Sequence, residues 1–167
     1  MAARRKVHIV TYTHWDREFR WEFERTRMRL VDCIDKVLDI MENTPDFRSF
    51  LFDGQLTLID DYLEIRPENR QRIMDLVKQG RAEIGPWFTL ADCAPIQGES
   101  VIRNLMYGIN KSKELGGVLN CGYNVFSFGQ IGQLPQIYAG FGIDNIIFYK
   151  SLDAKRVKYH EFIWEAP

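Results

Sequence analysis

A short apolar run that stops abruptly in polar residues, followed by a stretch with helical spacing, recurs along the whole chain. Residues 6–12 are rich in β-branched and aromatic side chains and lead to His14-Trp15-Asp16. Residues 47–52 run into Asp53-Gly54-Gln55, and residues 81–87 into a loop holding Asp92. Residues 118–126 run into Ser127-Phe128-Gly129-Gln130, and residues 144–149 into Lys150. Such runs read as strands, buried where no polar residue interrupts them. Between the first two, Leu30, Ile34, Val37 and Met41 form the apolar stripe of an amphipathic helix. Further helices are expected over 56–65, from Pro67 to Val77, from Ile102 to Gly116 and around 134–138. Alternation of this kind with modest connections predicts parallel βαβ units, hence an α/β layered or barrel architecture. A last strand is expected over 159–164 with no closing helix after it, so the chain reads as one domain, truncated.

In α/β folds the functional residues gather at the carboxyl ends of the strands. His14, Asp16, Asp53, Asp92 and Lys150 all fall there. On an extended chain, side chains two apart point the same way, which places His14 and Asp16 on one side together. An imidazole nitrogen and a carboxylate oxygen converging from one face suit zinc or another divalent cation. The competing reading of a His-x-Asp sequence is a hydrogen-bonded pair at a loop mouth. Asp53 and Asp92 are open in the same way, between pocket residues and turn or helix-capping residues.

Composition narrows the partners. With 167 residues, 46% hydrophobic and 27% charged, the chain has the makings of a packed core. A net charge of -1 leaves no electrostatic footprint for nucleic acid or an anionic membrane. No apolar run approaches a membrane span, and residues 7–10 are too short for a signal-peptide core, so a soluble, cytoplasmic protein is expected. Cys33, Cys93 and Cys121 are odd in number and far apart, as expected of buried free thiols. Ser127-Phe128-Gly129-Gln130-Ile131-Gly132 lacks the first glycine and the lysine of phosphate-binding loops.

Five motifs in register carry a resemblance. His14-Trp15-Asp16-Arg17-Glu18, Asp53-Gly54-Gln55, Gly85-Pro86-Trp87, Gly98-Glu99-Ser100 with Arg103-Asn104, and Ser127-Phe128-Gly129-Gln130 with Gly132-Gln133-Leu134-Pro135-Gln136-Ile137 together resemble the amino-terminal part of glycoside hydrolase family 38, the α-mannosidases. The resemblance implies a parallel seven-stranded β/α barrel-like domain of the glycoside hydrolase/deacetylase type, with residues 1–167 as the amino-terminal portion of a single catalytic domain. It also implies zinc and retaining hydrolysis of α-linked mannose in an oligosaccharide or glycoside. His14 and Asp16 match two zinc ligands of the family. Trp15 either packs beneath the metal or stacks on sugar, while Asp53, Asp92 and Lys150 take pocket positions, Lys150 where an arginine is expected. A further histidine ligand and the general acid fall in the remainder of the protein, which is needed to complete the domain.

One departure bears on chemistry. The family's fourth strand ends in Gly-Tyr-x-x-Asp-Ser-Phe-Gly, whose aspartate is nucleophile and zinc ligand, whereas this chain reads Gly122-Tyr123-Asn124-Val125-Phe126-Ser127-Phe128-Gly129. Phe126 stands at the nucleophile position, so no catalytic residue is assigned. A phenyl ring neither attacks an anomeric carbon nor binds a metal. Asn124, two residues earlier on the same face, offers an amide oxygen to a metal but no nucleophile. Two readings follow: a hydrolase with an altered site, using a displaced carboxylate such as Asp53 or Asp92, or a non-catalytic relative kept as a glycan-binding or structural domain. A carbohydrate deacetylase would need more histidine ligands than His8, His14 and His160 supply. Residues 1–167 alone are expected to bind zinc weakly and to hydrolyse no aryl α-mannoside.

Overall fold

The computed structural model describes residues 5–125, 128–148, 150, 155, 157 and 159–167. Within them the order is β1 (Tyr12–Thr13), α1 (Phe23–Asn43), β2 (Phe50–Phe52), α2 (Thr57–Ile65), a 3₁₀ turn (Pro67–Asn69) running into α3 (Arg70–Lys78), β3 (Ala82–Glu83), α4 (Gly98–Glu114), β4 (Gly122–Tyr123), α5 (Leu134–Gly140) and β5 (Ile146–Ile147). The strands pair in parallel, in the order β1-β2-β3 in one sheet and β4-β5 in another. Two bonds tie the sheets together: Leu119 N donates to Ile84 O at 2.9 Å, and the Trp87 indole donates to Tyr123 O at 2.7 Å. The fold is α/β with parallel strands, as the alternation predicts.

Helix α1 turns Leu30, Val31, Ile34, Leu38 and Met41 into the first core, where they meet Phe52 of β2, Leu58, Ile59 and Tyr62 of α2, and Ile73 and Leu76 of α3. Val37, placed in the stripe from spacing, packs at the margin, and Leu38 takes the central position. Each such aliphatic side chain contributes about 1.5–3 kcal/mol by leaving water. Pro67 opens the turn before α3, where its missing N–H costs nothing, and Gly80, at φ 68°, follows the helix end. A second core gathers Trp87, Cys93, Val101, Leu105, Ile109, Leu134 and Tyr138 around α4 and α5.

Helix α4 begins at Gly98, so the Gly98-Glu99-Ser100 turn is its first turn, with Glu99 at the positive end of the helix dipole. It approaches the 86–88 segment closely. A Cβ on Gly108 would lie 2.2 Å from Phe88 N and 2.4 Å from Pro86 O, which leaves room for hydrogen alone.

Two strand expectations are corrected. Residues 6–12 do not form a buried strand: the ladder begins at Tyr12, and Val7 and Ile9 are 77% and 82% exposed. β1 is an edge strand, and no strand among the described residues pairs with its outer side. Residues 159–164 form no strand; Phe162 and Trp164 instead pack their rings on Phe148, with centroids 6.0 and 5.6 Å away. Aromatic packing, which needs no register, holds that segment. Among the described residues no helix is long and apolar enough to cross a membrane.

Two outcomes test this packing. Gly108→Ala forces backbone apart and should lower unfolding free energy by about 1–3 kcal/mol, read by urea denaturation. Burial pushes the Cys93 thiol up to about 11 from an ordinary 9.0, with the Asp92 charge adding to it. The thiol therefore stays protonated in the folded chain while it ionises in the unfolded one. Its contribution is intact below pH 9 and is lost as pH rises toward 11, and alkylation by iodoacetamide at pH 8 should spare Cys93 until the chain is unfolded.

Candidate active site

β2 ends in two consecutive left-handed residues, Asp53 at φ 53° and Gly54 at φ 61°. Aspartate tolerates this conformation better than most side chains, and glycine adopts it freely. Gly54 also lies flat against Tyr123, whose ring would meet a Cβ at 2.0 Å. The kink turns the Asp53 carboxylate back under the end of β1, where it is fully buried.

Three donors converge on that carboxylate. Trp15 N donates to Oδ2 at 2.7 Å, Gln55 Nε2 donates to Oδ2 at 2.7 Å, and His14 Nδ1 lies 3.0 Å from Oδ1. On the opposite side of the imidazole, Nε2 lies 3.1 Å from Asp16 Oδ1. The His14 pKa is raised above 6.5, chiefly by the hydrogen bond to Asp53; burial opposes this, and the charges of Asp53 and Asp16 add to it.

Gln55 extends the arrangement. Its amide also donates to Trp15 O at 2.9 Å, and its Oε1 accepts from Thr57 Oγ1 at 3.1 Å and from Leu90 N at 3.3 Å. The loop after β3 is fastened a second time by Asn104 of α4, whose Oδ1 accepts from Phe88 N and Thr89 N at 3.1 and 3.0 Å. After His14 the chain is held to α2 by the Arg17 guanidinium, which grips both oxygens of Asp61 at 2.7 and 2.9 Å.

His14, Trp15, Asp16, Gln55, Asp92, Asn124 and Phe128 are among the residues lining a cavity of about 320 Å³. The structure thus brings His14, Trp15, Asp16 and Asp92 to one pocket. Asp53, read from sequence as a pocket or capping residue, lies beneath His14 and outside the lining. It caps no helix, since α2 begins at Thr57 with no side-chain cap. Lys150 stands with its Nζ 5.1 Å from the centre of the Phe128 ring. The Asn124 amide donates to Gln130 Oε1 at 2.5 Å. Phe126 lies outside the described residues. Among the described residues no three His, Cys, Asp or Glu side chains converge to hold a metal. Gln55 and Asn104 carry structural parts that the motifs contained without revealing; an asparagine inside a helix, a poor helix former, was the available signal for Asn104.

Residues 4–167 match the model of the family described as the glycosyl hydrolases family 38 N-terminal domain. A "Putative mannosylglycerate hydrolase" of Halalkalibacterium halodurans is 36% identical over 98% of this chain and 20% of its own length. Alpha-mannosidase G of Dictyostelium discoideum is 28% identical over 96% of this chain and 15% of its own. The crystal structure of an alpha-mannosidase from Enterococcus faecalis V583 superposes with a TM-score of 0.81 and 39% identity, over 83% of this chain and 16% of that one. A second Enterococcus faecalis structure, of a family 38 protein, gives a TM-score of 0.74 at 35% identity over the same shares. The chain spans a fifth or less of the length of these curated relatives. The match over nearly every residue, with a solved fold behind it, places this chain in glycosyl hydrolase family 38, as its N-terminal domain.

Proposed function

We propose that this chain contributes the amino-terminal part of a single family 38 catalytic domain, a seven-stranded β/α barrel completed by the remainder of the protein, and that the protein hydrolyses α-linked mannosides. The proteins it resembles support this reading: one named as a mannosylglycerate hydrolase and others as alpha-mannosidases. His14 and Asp16 are the residues that would hold zinc, and Trp15 and Asp92 would face the sugar, with Lys150 behind Phe128.

The observation that carries the metal assignment is the approach of His14 Nε2 to Asp16 Oδ1, 3.1 Å apart. Asp53 takes three donors and is acceptor-only when ionised, so His14 Nδ1 carries the hydrogen between them. Nε2 then meets the Asp16 carboxylate through its own proton, in the imidazolium that the raised His14 pKa favours, or through a cation that takes that proton's place. Two donors on one tetrahedral zinc sit roughly 3.3 Å apart for bonds of about 2.0–2.1 Å, so the pair fits. Bound there, zinc would act as a Lewis acid that holds sugar hydroxyls. Around it, His14 and Asp16 supply fixed donors, Trp15 an apolar wall, and the buried Asp53 an imidazole that does not rotate.

Phe126 at the nucleophile position favours a second reading, in which the fold persists as a glycan-binding or structural domain without hydrolysis. The experiment compares zinc content and aryl α-mannoside hydrolysis of the full-length protein with those of its Phe126→Asp variant. The expected result is a zinc-bearing parent whose hydrolysis rises at least about tenfold in the variant, a barrier lowered by about 1.4 kcal/mol. A metal-free parent, inactive before and after the substitution, would overturn the hydrolase reading and leave the fold kept for binding or structure. Residues 1–167 by themselves should bind zinc weakly and turn over no aryl α-mannoside.

A further inference from the structure

We infer that Asp53 and Gln55 act as one positioning unit: Asp53 locks His14 in the Nδ1–H tautomer with Nε2 facing the pocket, and Gln55 couples that lock to the loop over residues 88–92. The inference rests on the reading of His14 and Asp16 as cation ligands for its purpose, but its geometry stands without it.

Hydrogen-bond complementarity fixes every orientation in the unit. Gln55 Nε2 faces two acceptors, Asp53 Oδ2 and Trp15 O, while its Oε1 faces two donors, Leu90 N and Thr57 Oγ1. Flipping the amide would set donors against donors and acceptors against acceptors, so one assignment survives. With Gln55 and Trp15 N both on Oδ2, Oδ1 is left to His14 Nδ1. A buried carboxylate must keep its donors, since a lost partner leaves an uncompensated charge. The imidazole therefore keeps its hydrogen on Nδ1 and cannot swing without breaking that bond. A ligating histidine whose other nitrogen donates to a carboxylate is held in ring orientation and tautomer and made more basic. The same amide that orients Asp53 also fixes Leu90, adjacent to the pocket residues Ala91 and Asp92. Both walls of the pocket thus hang from one buried group.

The Asp53→Asn variant keeps the shape and removes the charge. One amide oxygen can serve Trp15 N and Gln55 Nε2, which turns the amide NH₂ toward His14 Nδ1 and requires that nitrogen to accept. The tautomer should flip to Nε2–H. The test is long-range ¹H–¹⁵N correlation of the neutral histidines in the metal-free full-length protein, with His14 assigned by its loss in His14→Ala. The expected result is Nδ1–H in the parent and Nε2–H in Asp53→Asn, with far-ultraviolet circular dichroism unchanged. Zinc affinity, measured against a chromophoric chelator, should fall about 10- to 100-fold in the variant. Nε2–H in the metal-free parent would overturn the inference, whether or not Asp53→Asn folds. A parent in the Nδ1–H form that binds no zinc would sustain the positioning unit and remove the cation reading of His14 and Asp16. Gln55→Glu, which sets a second carboxylate against Asp53, should weaken zinc binding in the same direction; unchanged affinity there would detach Gln55 from the unit.

Discussion

A carboxylate buried without partners costs several kcal/mol, and one that meets three donors becomes a fixed point for everything attached to those donors. Asp53 is such a point. Its donors come from the end of β1, through Trp15 N and His14, and from the start of the segment leading to α2, through Gln55. The left-handed turn at Asp53 and Gly54 is what aims it, and the flat approach of Gly54 to Tyr123 brings the second sheet's β4 against the same turn. The first sheet and β4 thus meet at the turn that carries Asp53.

Other contacts carry that precision outward. Trp87 is fully buried, links its indole to Tyr123 O, and receives Leu56 N on its own carbonyl at 2.9 Å. Asn104 holds the backbone of residues 88 and 89 from α4, and Gly108, one turn farther along the same helix, permits the contact that makes this possible. The bidentate Arg17–Asp61 pair secures the chain just past Asp16, so the exposed half of the His-x-Asp pair does not depend on its own loop for position. The pocket is polar where the strands end and apolar where Trp15 and Phe128 stand.

Much of this was legible from spacing. The alternation of apolar runs and helical stripes gave the parallel α/β class, and strand-end polarity brought His14, Asp16 and Asp92 to one place. The failures have physical causes. Residues 6–12 have strand propensity, yet a strand needs a ladder partner on at least one side and a layer over its faces, and the described residues give residues 7–10 neither. Residues 159–164 carry aromatics at strand-like density, and these found ring partners in place of a ladder. Asp53 was visible as a strand-end acid, but it is the left-handed turn at Asp53 and Gly54 that goes with its place beneath His14. No periodicity encodes that. Gln55 and Asn104 matter through long-range amide bonds, which leave no local pattern beyond an amide where a turn or helix would not favour one.

The electrostatic consequence gathers at one short distance. His14 donates to Asp53 on one side and faces Asp16 at 3.1 Å on the other, across a gap that a proton or a cation can fill. Everything proposed for the chemistry rests on what occupies that gap. Anomalous diffraction at the zinc edge, on crystals of the full-length protein grown with equimolar zinc, addresses it directly. The account predicts a peak about 2.0–2.2 Å from both His14 Nε2 and an Asp16 carboxylate oxygen. A zinc-loaded crystal with no peak there, and His14 Nε2 hydrogen-bonded to Asp16 through its own proton, would contradict it.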